Sequence, residues 1–131
     1  MELPEFQSLG KEVRGPVRRL EIFPAPPGVE RVTLSSDEVT SLCPVTGQPD
    51  WETVAIEYAP AASCIESKSL KLYLWSFREE GVFCEALAAR IAEDVAAACQ
   101  PRWVRVTVTQ KPRGGITITA TASAGDLPGD A

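Results

Sequence analysis

The sequence predicts an α+β fold in which two strands, two helices and two further strands follow one another in the order ββααββ. Apolar and polar residues alternate in two segments before residue 60 and in two segments after residue 102, as they do in half-buried strands. Between these pairs, apolar residues recur at the spacing of one helix face. This order predicts a four-stranded antiparallel sheet with two helices on one face. Its outer strands need covering, and oligomerisation is one solution.

The first two strands are predicted at Glu30–Leu42 and Trp51–Tyr58. In the second strand Val54, Ile56 and Tyr58 occupy alternate positions and therefore share one face. The loop between these strands carries the residues that are most suggestive of chemistry.

The two helices are expected after residue 65. The segment Glu66–Arg78 permits a helix or a strand, because Leu70, Leu72 and Leu74 also fit strand alternation. The segment Phe83–Gln100 predicts a helix, because its apolar residues recur at helical spacing, it is rich in alanine and a proline follows it.

The last two strands are predicted at Trp103–Thr109 and Ile116–Ala122, each with alternating apolar residues. The segment Gln110–Gly115 contains a proline and two glycines, so we expect it to form the turn between them.

Length and composition predict one domain with two extensions. Residues 1–28 contain five prolines and are expected to form an extended arm, whereas residues 29–122 form the domain. Residues 123–131 are rich in Gly, Pro and Asp and predict a flexible tail.

Several function classes are disfavoured by charge and hydropathy. The formal net charge of -5 provides no basic surface for nucleic acid or an anionic membrane. No apolar run approaches the roughly 20 residues that span a bilayer, and the N-terminus lacks a basic segment followed by an apolar one. We therefore expect a cytoplasmic protein without direct nucleic-acid or membrane partners.

The four cysteines form no C-x-x-C pair, and the chain has no histidine. A disulfide framework and a metal site are therefore not expected, and acid–base chemistry falls to Asp, Glu, Lys, Tyr or Cys. Cys64 and Cys99 are most simply structural residues. The tryptophans Trp51, Trp75 and Trp103 are expected in the core or at an interface.

The segment Cys43–Asp50 places a candidate thiolate nucleophile and a candidate acid at the two ends of one stiff loop. Pro44 and Pro49 fix φ and remove a backbone donor, while Gly47 accepts a positive φ. The alternative is a tight connection between two strands, in which the cysteine is a small buried hydrophobe. The octet alone does not separate the two interpretations.

Two further segments suggest phosphate binding. Glu66, Ser67 and Lys68 begin an amphipathic segment, where free backbone N–H groups favour anions. Arg113, followed by Gly114, lies in the last predicted hairpin and can reach a phosphate. The alternatives are ordinary helix capping and an ordinary hairpin turn.

Three motifs together resemble one known family, the NADPH-dependent 7-cyano-7-deazaguanine reductases, which are nitrile reductases of the queuosine pathway in their short single-module form. The motifs are Ser41–Asp50, Glu66–Tyr73 and Pro112–Gly115, and the resemblance runs from about Ser41 to about Gly115. Each motif is weak alone, but their shared order and spacing are specific.

This resemblance implies the tunnelling fold, whose ββααββ modules join edge to edge into ring-shaped homo-oligomers, pentamers or decamers, with active sites between subunits. It implies that Cys43 adds to the nitrile carbon to form a covalent thioimide, that Asp50 donates a proton, and that two NADPH molecules reduce the adduct. The implied substrate contacts are Ile65, Glu66, Ser67, Cys84 and Glu85. The implied NADPH contacts are Ser67, Lys68, Arg113 and Gly114.

The sequence departs from the family at Cys84, where the residue before the substrate-anchoring Glu85 is usually histidine. A thiol near Cys43 suggests an oxidisable pair, so we expect a reversible disulfide if the two Cα atoms lie within about 7 Å.

Three alternative functions were weighed. A same-fold amidinotransferase or amidohydrolase would use the thioimide without NADPH, but should lack the motif Glu66–Tyr73. A zinc-dependent pterin cyclohydrolase of this fold is disfavoured by the missing histidine. A non-catalytic deazapurine-binding or assembly module stays open because of Cys84.

Overall fold

The computed structural model describes residues 15–129 and contains two helices and six strands within that range. The elements are β1 (Ile22–Pro24), β2 (Val32–Leu42), β3 (Pro49–Ala59), β4 (Ser63–Ile65), α1 (Ser67–Trp75), α2 (Cys84–Cys99), β5 (Trp103–Arg113) and β6 (Ile116–Gly125). All six predicted elements are present, and the ambiguous segment after residue 65 is a helix. Two short strands, β1 and β4, were not predicted, so the order differs from a plain ββααββ.

The four long strands form one antiparallel sheet in the order β2-β3-β5-β6. The strands β3 and β5 are central, and their register places Val54 opposite Val108 and Tyr58 opposite Val104. The prediction of an α+β fold with an antiparallel sheet is confirmed. The strands β2 and β6 form the sheet edges within the described chain.

The core lies between the two helices and one face of this sheet. In α2, Leu87, Ile91 and Val95 lie four residues apart and are at most 1% exposed. They pack in one cluster with the alternate valines of β5 and with residues of β3 and α1. Within residues 15–129 no helix is both long and apolar enough to span a membrane.

The predicted arm is only partly extended, and its first 14 residues lie outside the described part of the chain. Its later part forms β1, which pairs antiparallel with β4, and the carbonyl of Glu21 accepts a hydrogen bond from Glu66 N at 2.8 Å. Leu20 and Ile22 pack against the core. The expectation of an unpacked arm is therefore wrong for this segment, because three-residue strands are too short to give a periodic pattern.

The last strand continues to Gly125, so the predicted tail boundary at Ser123 is three residues too early. The strand β5 begins at Trp103 and supplies backbone partners for these residues, with Trp103 opposite Gly125. Asp126 N then donates to the Arg102 carbonyl at 2.8 Å. Composition suggested a loose tail, but pairing with β5 orders the strand's end.

Candidate active site

The loop from Cys43 to Gln48 is closed by its own backbone. Cys43 N donates to the Gln48 carbonyl at 2.8 Å, and Gly47 N donates to the Cys43 carbonyl at 2.8 Å. Gly47 has a φ of 74°, which a residue with a side chain rarely adopts. The loop therefore holds the half-buried Cys43 in one position at the end of β2.

The same loop stabilises the thiolate of Cys43. Hydrogen bonding by the Thr46 side chain, and then by the backbone of Thr46 and Val45, lowers the pKa of Cys43, while desolvation and the charge of Asp50 oppose the effect. A lowered thiol pKa increases the nucleophilic fraction near neutral pH. Sequence reasoning missed Thr46, although a hydroxyl three residues after a loop cysteine was a usable signal.

Asp50 is 4% exposed and forms an ion pair with Arg113, whose Nη1 donates to Asp50 Oδ1. Arg113 Nη2 also donates to Gln48 Oε1. The arrangement therefore brings two predicted site residues together, but it gives Arg113 a partner other than a cofactor phosphate.

Arg113 reaches Asp50 because of the hairpin that follows it. Gly114 and Gly115 have φ values of 61° and 80°, as both central residues of a tight two-residue hairpin turn require. The pairing of β5 with β6 is irregular between Gln110 and Arg113, where Pro112 lacks an N–H donor. The predicted turn is therefore shorter than expected, because β5 extends to Arg113.

A short bridge brings the start of α2 to this loop. Leu42 N donates to the Glu80 carbonyl at 2.9 Å, and Val82 N donates to the Leu42 carbonyl at 3.0 Å. A Cβ at Gly81 would lie only 3.4 Å from the Pro44 Cα, so the two segments pack closely. This contact brings the first turn of α2 close to the Cys43 loop.

In that first turn, Cys84 is buried and Glu85 is exposed. Cys84 Sγ donates to the Val108 carbonyl at 3.5 Å. Burial, followed by the charges of Glu85 and Glu52, raises the pKa of the Cys84 thiol. All four cysteines are unbonded, and the Cys43–Cys84 disulfide stays a prediction.

Glu52 is a site residue that sequence reasoning missed. It is 2% exposed, Ser41 Oγ donates to its Oε1, and its buried Oε2 has no hydrogen-bond partner among the described residues. Burial raises the pKa of Glu52 to about 7, with a smaller contribution from the charge of Asp50 and an opposing one from Ser41. The available signal was alternation, because positions 50 and 52 continue the buried face of Val54. We call Cys43, Asp50, Glu52, Cys84 and Arg113 the Cys43 cluster.

The second group of predicted residues lies at the start of α1. Glu66 is the N-cap, and its two carboxylate oxygens accept from Lys68 N at 2.7 Å and Ser69 N at 2.8 Å. These donors are therefore occupied, and the expectation of free N–H groups for a phosphate is wrong for them. Ser67 is exposed, whereas Ile65 is buried in the core. We call Ile65, Glu66, Ser67 and Lys68 the α1 cluster.

The two clusters lie far apart within one chain. Ile65 N donates to the Tyr58 hydroxyl at 2.8 Å, which holds the α1 cluster near the end of β3 that carries Tyr58. Asp50 lies at the other end, eight residues away, so its Cα is about 26 Å from that of Tyr58 at about 3.3 Å per residue. Within one chain the Cys43 cluster therefore lies toward the Asp50 end of β3 and the α1 cluster toward its Tyr58 end.

A groove of about 550 Å³ runs between the edge strand β2 and α1, and Ser67 and Lys71 contribute to its lining. Beside its far end, Trp51 is 55% exposed and Trp75 is 40% exposed. Of the two expected positions, the core is therefore excluded for these two tryptophans, and a position at an interface stays a prediction.

Residues 49–128 match the family described as QueF-like protein. The NADPH-dependent 7-cyano-7-deazaguanine reductase of Anaeromyxobacter dehalogenans (strain 2CP-C) is 49% identical over 115 residues, which cover 86% of this chain and 94% of the relative. The protein of the same name from Syntrophus aciditrophicus (strain SB) is 50% identical over 123 residues, covering 92% and 87%. The solved structure of the archaeosine synthase QueF-Like in the apo form has a TM-score of 0.70 and 29% identity, and covers 76% of this chain and 97% of that one. The chain therefore belongs to the QueF-like family of NADPH-dependent 7-cyano-7-deazaguanine reductases that its three motifs resemble.

Proposed function

We propose that this chain reduces the nitrile of 7-cyano-7-deazaguanine to 7-aminomethyl-7-deazaguanine with NADPH, as a step of queuosine biosynthesis. The observation that carries the proposal is the Cys43 loop, in which hydrogen bonds from Thr46 and Val45 favour a thiolate. The ion pair between Asp50 and Arg113 lies beside this loop. It occurs in a chain about half identical to proteins named for this activity. Four unbonded thiols fit a reducing cytoplasm.

A thiolate suits this chemistry because it is both a good nucleophile and a workable leaving group. Cys43 adds to the nitrile carbon and the nitrogen takes up a proton, which gives a thioimide. Hydride delivery to carbon is followed by breakage of the C–S bond and release of the thiolate, and a second hydride completes the amine. Asp50 is the acid nearest the nucleophile, and Arg113 holds it in place before substrate binds.

In the proposed NADPH site, side chains contact the phosphates more than the backbone N–H groups at the start of α1 do. Because Glu66 occupies the backbone donors of Lys68 and Ser69, the phosphate contacts fall to Lys68 and Arg113, with Ser67 and Gly114 beside them. The two bonds of Arg113 use two of the five N–H donors of a guanidinium. NADPH supplies the hydrides when bound.

The deazaguanine is held by Glu85, whose carboxylate accepts from a ring N–H and an exocyclic amine. We expect Lys68→Ala to raise the KM for NADPH far more than that for the nitrile, and Glu85→Ala to do the reverse. Steady-state kinetics with each substrate varied in turn measure both effects. Equal effects on both ligands from the two variants would contradict the assignment of the subsites.

The complete site forms between two copies of the chain, in a ring-shaped homo-oligomer such as a pentamer or decamer. The first support is that Asp50, in the Cys43 cluster, lies about 26 Å along β3 from Tyr58, whose hydroxyl holds the α1 cluster. The second is that the sheet has two edges that need covering. One copy supplies the Cys43 cluster and a neighbour supplies the α1 cluster.

Mixing two variants tests this sharing, at an NADPH concentration far below the KM of Lys68→Ala, where neither variant alone is active. If Cys43→Ala and Lys68→Ala chains are unfolded together and refolded, about a quarter of the interfaces carry neither change, and about a quarter of the activity returns. A site contained in one chain would return none. Sedimentation of the parent gives the ring size.

The chemistry itself is tested by intact-protein mass spectrometry with the nitrile alone, and by NADPH oxidation in its presence. We expect an adduct of one nitrile per chain, its loss in Cys43→Ala, and NADPH consumption by the parent. A second candidate, transfer of a nitrogen nucleophile to the same adduct, is favoured only by the 29% identical archaeosine synthase. An adduct without NADPH oxidation would select it, and no adduct would exclude both.

A further inference from the structure

Glu52 occupies a position where a side chain such as valine would be ordinary. Its cross-strand partner is Val39, itself 2% exposed, and the next residue on the same face of β3 is Val54, at 1%. A buried oxygen without a partner destabilises the fold by roughly 1–3 kcal/mol. Glu52 is a buried carboxyl in a central strand with only one of its two oxygens hydrogen-bonded. Its presence is therefore better explained by a functional role than by packing.

The polar side chains that contact or face Glu52 come from three neighbouring elements. From β2, the Ser41 hydroxyl donates to Glu52 Oε1, and Ser41 is also the cross-strand partner of Asp50. Directly opposed residues have Cβ atoms about 5 Å apart on one face, so Ser41 lies beside both carboxyls. From α2, Cys84 interacts with the charge of Glu52, and from β5 the uncharged Gln110 is the register partner.

The two carboxyls have different environments. Asp50 is paired with Arg113, whereas Glu52 is buried with no cation beside it among the described residues. Burial favours the neutral form of a carboxyl and raises the pKa of Glu52 to about 7. Glu52 therefore carries a proton in a large share of the molecules near neutral pH.

The proposed reaction needs two protons at the nitrogen, and one acid group holds only one. Converting a nitrile to a primary amine adds two hydrides to carbon and two protons to nitrogen, while the Cys43 proton is taken up and returned. Two NADPH supply the hydrides and become NADP⁺. Asp50 delivers one proton at a time, so it must be reprotonated between the two reductions, while the half-reduced substrate stays bound.

We infer that Glu52 is the proton reserve of this site, a positioning residue that returns a proton to Asp50 through the Ser41 hydroxyl between the two hydride transfers. The Ser41 hydroxyl, which donates to Glu52 Oε1 at rest, turns to donate its proton to Asp50 and accepts the proton of the Glu52 carboxyl in its place. Solvent reprotonates Glu52 after product release. This role rests on the proposed nitrile reduction and adds a residue to it.

The test compares the parent with Glu52→Gln, which keeps size and hydrogen bonding but holds no exchangeable acid proton. Glu57→Gln is the matched control, because Glu57 lies on the other face of the same strand, in ion pairs with Arg31 and Arg105. We expect Glu52→Gln to form the adduct with unchanged KM, and its kcat to fall on the order of tenfold at about pH 6. The deficit should disappear by about pH 8.5, where Glu52 of the parent has lost its proton.

A measurement that does not need the Glu52→Gln variant covers the case in which that variant folds poorly. Infrared spectroscopy of the parent should detect the carbonyl stretch of a protonated carboxyl that titrates near pH 7, and the same band should be present in Glu57→Gln. If the parent reduces the nitrile but Glu52→Gln has a parallel pH profile, or the infrared band is missing, the reserve is refuted while the proposed function stands. If the parent neither binds the nitrile covalently nor oxidises NADPH, the proposed function has failed and the reserve fails with it.

Discussion

Replacing Glu52 by glutamine should make the protein more stable at alkaline pH and remove a pH dependence of its unfolding. The reason is that Glu52 is 2% exposed and has one buried oxygen without a partner in the described structure. A glutamine side chain has nearly the same shape and still accepts from Ser41, but it carries no charge that burial penalises.

The magnitude follows from the pKa of Glu52, which burial raises from 4.5 to about 7. Between these values the folded protein binds more protons than the unfolded chain, so stability falls as pH rises from about 4.5 to about 7 and stays reduced above that. Each pKa unit corresponds to about 1.4 kcal/mol, so a rise of about 2.5 units sets an upper limit of about 3.4 kcal/mol. Because local opening admits water to the carboxylate, we expect about 2 kcal/mol.

The assay is urea unfolding at pH 5, 6, 7 and 8 and one fixed protein concentration, since oligomerisation couples to stability. The difference between Glu52→Gln and the parent isolates the one carboxyl from all others that titrate. It should be small at pH 5 and reach about 2 kcal/mol in favour of the variant at pH 8. Glu57→Gln is the control and should show no such trend. Parallel curves for parent and Glu52→Gln would refute the reasoning.

Two further predictions concern the thiol and the end of the sheet. Thr46→Val should raise the pKa of Cys43, so alkylation of the thiol by iodoacetamide should be slower than in the parent at pH 7 and equally fast at high pH. Thr46→Ser keeps the hydroxyl and should behave as the parent does. Equal rates for Thr46→Val and the parent at all pH values would contradict the role of the hydroxyl. Gly125→Ala should lower the free energy of unfolding by more than about 2 kcal/mol, because the residue has a φ of 86° and its Cβ would lie 2.9 Å from the Trp103 Cα. Gly28→Ala, with a φ of 90° and open space, should cost about 1 kcal/mol, and similar losses in the two variants would show that crowding is unimportant.

The long elements of this fold could be predicted because their buried apolar residues recur along the chain at the spacing of a strand or a helix. Apolar residues alternate in Trp51–Tyr58, as a strand requires, and recur at helical spacing in Phe83–Gln100. The strand and the helix both lie where expected. The strands β1 and β4 could not be predicted in this way. They have three residues each, and what makes them strands is pairing across about 40 positions of sequence.

The ambiguous segment shows why local pattern is not always enough. Leu70, Leu72 and Leu74 fit a strand as well as a helix. The helix begins at Ser67 because Glu66 caps it with both carboxylate oxygens. That same cap removed the phosphate site that the motif suggested, since one carboxylate does not leave the donors open for another anion.

The sequence by itself determined the family and the long elements, because motifs and periodicities are local properties of the chain. Cys43, Asp50 and Arg113 were named as site residues from motifs shared with that family. Only the tertiary structure decided that Arg113 pairs with Asp50, that Glu52 is buried beside Ser41, and that the Cys43 cluster and the α1 cluster lie toward opposite ends of β3. These properties depend on desolvation and on contacts between residues distant in sequence, and neither is set until the sheet and helices have packed.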